Sequence, residues 1–97
     1  MQDPRLDPVL LQSFVAVAES GSFTRAAQRV HLTQSTVSQQ VRRLEDQLGC
    51  VLLDRGGRYV VTTPEGERLL GYARRLQQLK AEGVGELGQS AGQGASR

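Results

Sequence analysis

Ninety-seven residues with a mass of 10.6 kDa leave room for one core of a few packed elements and exclude two lobes closing around a substrate cleft. Hydrophobic residues are 38% of the chain and charged residues 23%, and no apolar run approaches the roughly 18 residues a membrane-crossing helix needs, so a soluble protein with no membrane partner is expected. The formal net charge of +2 is unevenly spread: residues 1–21 set Arg5 against Asp3, Asp7 and Glu19, while residues 22–58 set Arg25, Arg29, Arg42, Arg43, Arg55 and Arg58 against Glu45, Asp46 and Asp54. A basic middle segment points to an anionic partner, and arginine is the basic residue used almost throughout, whose planar fork suits phosphate and guanine. Met1 to Pro8 is polar and acidic, without the basic start and apolar stretch of an export signal, so the expected compartment is the cytoplasm. Cys50 has no second cysteine to pair with and only His31 as a companion for a metal, so it is read as a small core hydrophobe, and no metal or cofactor is expected.

In chain order, Asp7 followed by Pro8 reads as an N-cap with proline in the first turn, and Leu10, Leu11, Phe14, Val17 and Ala18 recur at helical spacing up to Ser20 and Gly21. Ser22 caps a second helix, with Phe23, Ala26, Ala27 and Val30 on one stripe. Thr33 caps a third, in which Val37, Val41, Leu44 and Leu48 form the buried face and Gly49 the stop. Then come two β-prone runs, Val51–Leu53 and Tyr59–Val61, joined by the turn Arg55-Gly56-Gly57-Arg58, which predict a β-hairpin. Thr63 and Pro64 open a fourth helix expected to run to about Lys80, with Leu69, Tyr72, Leu76 and Leu79 as a short coiled-coil seam. From Gly83 the glycine-rich composition predicts a flexible tail.

The informative surface is the outer face of the third helix. Ser35, Ser38, Gln39 and Arg42 lie opposite its apolar stripe, and Gln34 joins them from the first turn. These side chains hydrogen-bond base edges, and a helix fits the major groove. A solvated helix surface is the alternative, but such a face usually carries acids, and none occurs from Gln34 to Arg43. At the hairpin tip Arg55 and Arg58 flank two glycines, which is either an ordinary turn or a device for placing a guanidinium in a minor groove or on phosphate. No nucleophile–base pair or phosphate loop is apparent, and lone His31, between two helices, reads as structural or phosphate-touching, so catalysis is not expected.

The segment from Leu11 to Gly66 resembles the N-terminal DNA-binding domain of LysR-type transcriptional regulators. The resemblance is carried by Phe14-Val15-Ala16-Val17-Ala18-Glu19, Gly21-Ser22-Phe23-Thr24-Arg25-Ala26-Ala27, Thr33-Gln34-Ser35, Ser38-Gln39-Gln40-Val41-Arg42-Arg43-Leu44-Glu45, Leu48-Gly49, Arg55, and Thr63 with Gly66. The chain departs from that pattern at Leu53, where phenylalanine is usual, and at Ser35, where proline is common. The resemblance implies a mainly α fold with a small β-hairpin, a winged helix-turn-helix over residues 1–63 and a long linker helix that forms the dimer over 64–82, ahead of the tail that composition predicts over 83–97. It implies double-stranded DNA as partner, read by a homodimer on a promoter inverted repeat. A small-molecule effector is implied only for a C-terminal domain that residues 1–97 do not include. The expected DNA-contacting set is Ser22, Thr24, Arg25, Thr33, Gln34, Ser35, Thr36, Ser38, Gln39, Arg42, Arg43, Arg55 and Arg58, and the expected dimer set is Leu69, Tyr72, Ala73, Leu76 and Leu79. Two other readings are another winged-helix regulator, such as the DNA-binding part of a molybdate-responsive repressor, and a short interaction module that blocks a full-length regulator by heterodimerising with it.

Overall fold

Short polar side chains start each of the first three helices. In the computed structural model, which describes the backbone of residues 7–92 and the side chains of residues 7–79, Asp7 accepts the amide of Val9 at 2.9 Å and opens α1 (Pro8–Ser20). Ser22 accepts the amide of Arg25 at 3.1 Å and opens α2 (Phe23–Val30), and Thr33 accepts that of Thr36 at 3.1 Å and opens α3 (Gln34–Leu48). Each such bond satisfies a donor that the first helical turn leaves without an intrahelical partner. Gly21 and Gly49 end α1 and α3 with φ of 71° and 73°, where glycine avoids the Cβ clash, whereas α2 ends on His31 in the same left-handed region. His31 thus has a structural place in the turn between α2 and α3.

The three helices enclose one core. Phe14 and Val17 from α1, Ala26 from α2, and Val37, Val41 and Leu44 from α3 are fully buried, and Phe23, Val30, Leu48 and Cys50 pack around them half-buried. The two alanines of α2 bring its backbone close to both neighbours. Ser13 is the buried polar residue of this core among the described ones, and its hydroxyl donates to the Gln40 side chain, tying α1 to α3 through a bond that also removes the penalty of burying it.

Beyond α3 lies the wing, a two-stranded antiparallel sheet of β1 (Leu53–Asp54) and β2 (Val61–Thr62), with Leu53 opposite Thr62 and Asp54 opposite Val61. The strands sit one or two residues later than the runs of apolar residues predict, because other groups take the backbone of Val51 and Leu52. Glu45 accepts the Leu52 amide, while Thr63 donates its hydroxyl to the Val51 carbonyl at 2.6 Å and its amide to the Leu52 carbonyl at 3.0 Å. No ladder position is left there. The turn is shaped by Asp54, whose carboxylate accepts the Gly56 amide at 2.9 Å, and the Val60 amide ties the wing back to Gly21 through its carbonyl at 3.3 Å.

Finally α4 (Pro64–Gly92) begins with Thr63 accepting the Gly66 amide at 3.0 Å, with Glu65 and Glu67 at its positive end. It continues well past Lys80, where the composition predicts its end, and the glycine-rich segment from Gly83 to Gly92 is helical instead of an irregular tail; residues 93–97 lie outside the described ones. A helix already nucleated propagates at one hydrogen bond per added residue, and the Ala, Glu, Leu and Gln between those glycines are compatible with it. Leu70 and Ala73 of α4 enter the common core, leaving Tyr72, Leu76 and Leu79 exposed.

Candidate nucleic-acid interface

Opposite the buried stripe, α3 presents the face expected from its sequence. Gln34, Ser35, Gln39, Arg42 and Arg43 are exposed, Thr36 and Ser38 are half-buried at its edge, and Asp46 stands at the far end. The base-reading candidates thus lie on one rigid element whose other side is locked into the core, as a reading helix requires.

The start of α2 faces the start of α3. Thr24 is exposed and its hydroxyl donates to Gln34 Oε1 at 3.1 Å, which leaves the Gln34 amide NH2 group free as a donor. Arg25 is exposed beside it. Ser22 is half-buried and committed to its cap, and Thr33 combines its cap with a hydroxyl bond to Thr36 Oγ1 at 2.8 Å. The structure therefore leaves Thr24, Arg25, Gln34, Ser35, Gln39, Arg42 and Arg43 accessible, with Thr33 exposed but engaged in its cap and Ser22 and Thr36 half-buried.

The two wing arginines differ. Arg58 is exposed near the tip, whereas Arg55 turns back toward α3: its Nη2 lies 3.5 Å from Glu45 Oε1 and its guanidinium carbon 4.8 Å from the centre of the Phe23 ring. Between α3 and the wing this leaves an open cleft lined by Arg42, Glu45, Asp54, Arg55 and Thr63 among others.

The expected dimer residues divide between two faces of α4. Ala73 is 1% exposed and belongs to the chain's own core, and Leu69 packs against that core half-buried, while Tyr72, Leu76 and Leu79 are exposed. Leu76 and Leu79 line an apolar groove with Pro8 and Leu11 of α1, edged by Gln12 and Gln77.

Three features escape a reading of the sequence. Glu45 serves the wing, although its only mark in the sequence is a carboxylate in a last helical turn, where the dipole disfavours it. Glu19 pairs with Arg29 of α2 at 2.5 Å and with Arg74 of α4 at 3.4 Å. Leu70 is buried where the seam pattern pointed to its neighbours, since a pattern of heptads locates an apolar face without saying which part the chain covers itself. Among the described residues no group of His, Cys, Asp and Glu could hold a metal ion, and no helix is long and apolar enough to cross a membrane.

Three core helices, an outward polar face on the third, and a hairpin beside it define a winged helix-turn-helix domain. Residues 9–67 match the model of the bacterial regulatory helix-turn-helix proteins of the lysR family, and the chain belongs to that family. The HTH-type transcriptional activator AllS of Klebsiella pneumoniae is 48% identical over 69 residues, which is 71% of this chain and 26% of AllS. The regulator BenM of Acinetobacter baylyi is 48% identical over 66 residues, 68% of this chain and 22% of BenM. Among solved structures, a BenM DBD in complex with catB site 1 DNA superposes with a TM-score of 0.81 at 38% identity, covering 93% of this chain and 100% of that one. ArgP from Mycobacterium tuberculosis gives 0.80 at 40% identity, covering 84% and 31%. The chain spans about a quarter of the length of the curated relatives it matches.

Proposed function

We propose that this chain is the DNA-reading part of a transcription regulator and acts as a homodimer on a promoter inverted repeat. The observation that carries the reading is the face of α3: exposed Gln34, Ser35, Gln39, Arg42 and Arg43 with no acid among them, on a helix fixed from behind by Val37, Val41 and Leu44. In this reading α3 enters the major groove. Gln34, Ser35, Ser38 and Gln39 meet base edges there, with Thr24 holding Gln34 in position. Arg25, Arg42 and Arg43 take phosphates, as do the amides and hydroxyls at the helix starts around Ser22, Thr33 and Thr36. Arg55 and Arg58 carry the wing's share on phosphate or in the minor groove. That a relative's domain was solved on DNA, in a fold this similar, supports the same ligand class here.

Pairing of subunits is assigned to α4, on which Tyr72, Leu76 and Leu79 form an apolar face that the chain leaves exposed, flanked by Leu69 and Ala73 at the core. Co-inducer sensing is assigned, through the family, to a domain outside residues 1–97. The matched relatives are named as regulators, which favours regulation over catalysis and a place of work on the bacterial chromosome in the cytoplasm.

The test is fluorescence anisotropy with a randomised duplex pool at about 50 and 200 mM salt, followed by sequencing of the bound fraction. Steep salt dependence with an enriched inverted repeat is the expected result. Salt dependence without enrichment removes the sequence-reading claim, and absence of binding at both salts leaves the interaction module that pairs with a full-length regulator.

A further inference from the structure

We propose that Glu45 is a positioning residue for DNA binding, which aims Arg55 at a phosphate by clamping the base of the wing to the reading helix; the proposal rests on the DNA-binding reading above. Glu45 sits in the last turn of α3, where the carbonyl ends of the helix disfavour a carboxylate. Its side chain is only 14% exposed, so it also loses hydration there. Both costs are offset by a set of donors unusual for one surface glutamate. Oε2 accepts the amides of Leu52 at 2.9 Å and Leu53 at 3.2 Å, and Oε1 faces Nη2 of Arg55 at 3.5 Å. Bonds from two successive amides to one carboxylate oxygen are charge-assisted and fix the chain at the start of β1 in both position and direction.

Arg55 follows that anchored stretch by two residues. Its guanidinium lies between the Glu45 carboxylate and the Phe23 ring, and its side chain keeps 31% exposure toward the cleft that Arg42 lines from the other side. A phosphate entering between α3 and the wing meets two guanidinium groups there, one carried by each wall. A single contact at 3.5 Å adds little to stability. Its consequence is directional: the long arginine side chain is held in one orientation before DNA arrives, so less rotamer freedom is lost on contact. Glu45 itself touches no DNA in this account and acts through Arg55.

The test compares the wild-type chain with Glu45→Gln, Arg55→Ala and the double variant, using anisotropy on the duplex enriched from the random pool, with thermal unfolding measured alongside. Glutamine keeps an acceptor for the wing amides but removes the charge that orients Arg55. Glu45→Gln is expected to weaken binding roughly threefold to tenfold and to lower the salt slope, in the manner of a lost phosphate contact. In the Arg55→Ala background the same substitution is expected to change affinity by less than about twofold, since the residue it acts through is gone. A merely structural Glu45 would lower the unfolding midpoint in both backgrounds alike and leave no such coupling. Equal losses in both backgrounds overturn the proposal, as does tighter binding by Glu45→Gln, which would make Glu45 a repulsive charge. Should the glutamine variant not fold, Glu45→Asp, which keeps the charge but shortens the reach, is read against the same criterion. Wild type failing to bind any duplex overturns the DNA-binding reading itself, whereas wild-type binding without the coupling overturns only the role of Glu45.

Discussion

A Cβ added at residue 66 would stand 2.1 Å from the carbonyl oxygen of Leu52, closer than any real contact, and the obstacle is backbone that Thr63 and Glu45 hold from both sides. Gly66→Ala is therefore expected to destabilise the fold by about 1 to 3 kcal/mol despite alanine's better helix propensity, measured as a lower urea midpoint with unchanged slope. On the outer face of α3, which we propose to read DNA, Gln34→Ala or Gln39→Ala is expected to relax preference at one base position per half-site, by about 1 to 3 kcal/mol for a bidentate contact, while Arg42→Ala weakens enriched and random duplexes alike. Equal losses on both duplexes for the glutamine variants would remove them from the base edges. The exposed placement of Gln34 and Gln39 was legible in the sequence because residue type and helical phase coincide: both are polar and lie off the buried stripe of Val37, Val41 and Leu44. Glu45 was not, since the groups that explain it are backbone amides, which every residue carries and no sequence marks.

Among the elements, helix starts are the most legible feature because a cap is a local event. Asp7, Ser22, Thr33 and Thr63 each accept an amide two or three residues ahead, so identity and spacing suffice to locate them. Thr33→Ala is expected to cost about 1 kcal/mol in stability, visible as a lower thermal midpoint, and a Thr33→Ser variant is expected to recover most of it by restoring the hydroxyl. The strands were less legible. Val51 and Leu52 have the composition of a strand, yet their polar backbone groups are engaged by Glu45 and Thr63, and the ladder begins only at Leu53. The end of α4 was the least legible, because glycines lower helix propensity without setting a stop and nothing local replaces the missing signal. The core resolved in part: alternation of three and four placed Leu10, Leu11, Phe14, Val17, Ala26, Ala27, Val37, Val41 and Leu44, but Val15 and Ala16 are buried on α1 outside that stripe, and Leu70 was missed because two apolar faces on one helix overlap in the same pattern.

For the molecule as a whole, Tyr72, Leu76 and Leu79 are, among the described side chains, the large apolar ones that one chain leaves exposed on α4. Gel filtration at tens of micromolar is expected to give a dimer, and Leu76→Glu is expected to give a monomer that still folds and still binds a single half-site but loses its advantage on the inverted repeat. A wild-type chain eluting as a monomer would remove α4 as a sufficient dimer element. Glu19, at the end of α1, grips Arg29 of α2 at 2.5 Å and Arg74 of α4 at 3.4 Å, so a single carboxylate braces the arm of the proposed dimer against its head. Each bond is exposed and adds little to folding stability. What the brace governs is angle, and over the length of α4 a small change of angle becomes a change of several ångströms in the distance between two heads, comparable to the rise of one base pair. Glu19→Gln is accordingly expected to leave the unfolding midpoint almost unchanged but to let the dimer accept repeats whose centres are one base pair nearer or farther apart, so that the molecule's ruler, and not its alphabet, is what the substitution loosens.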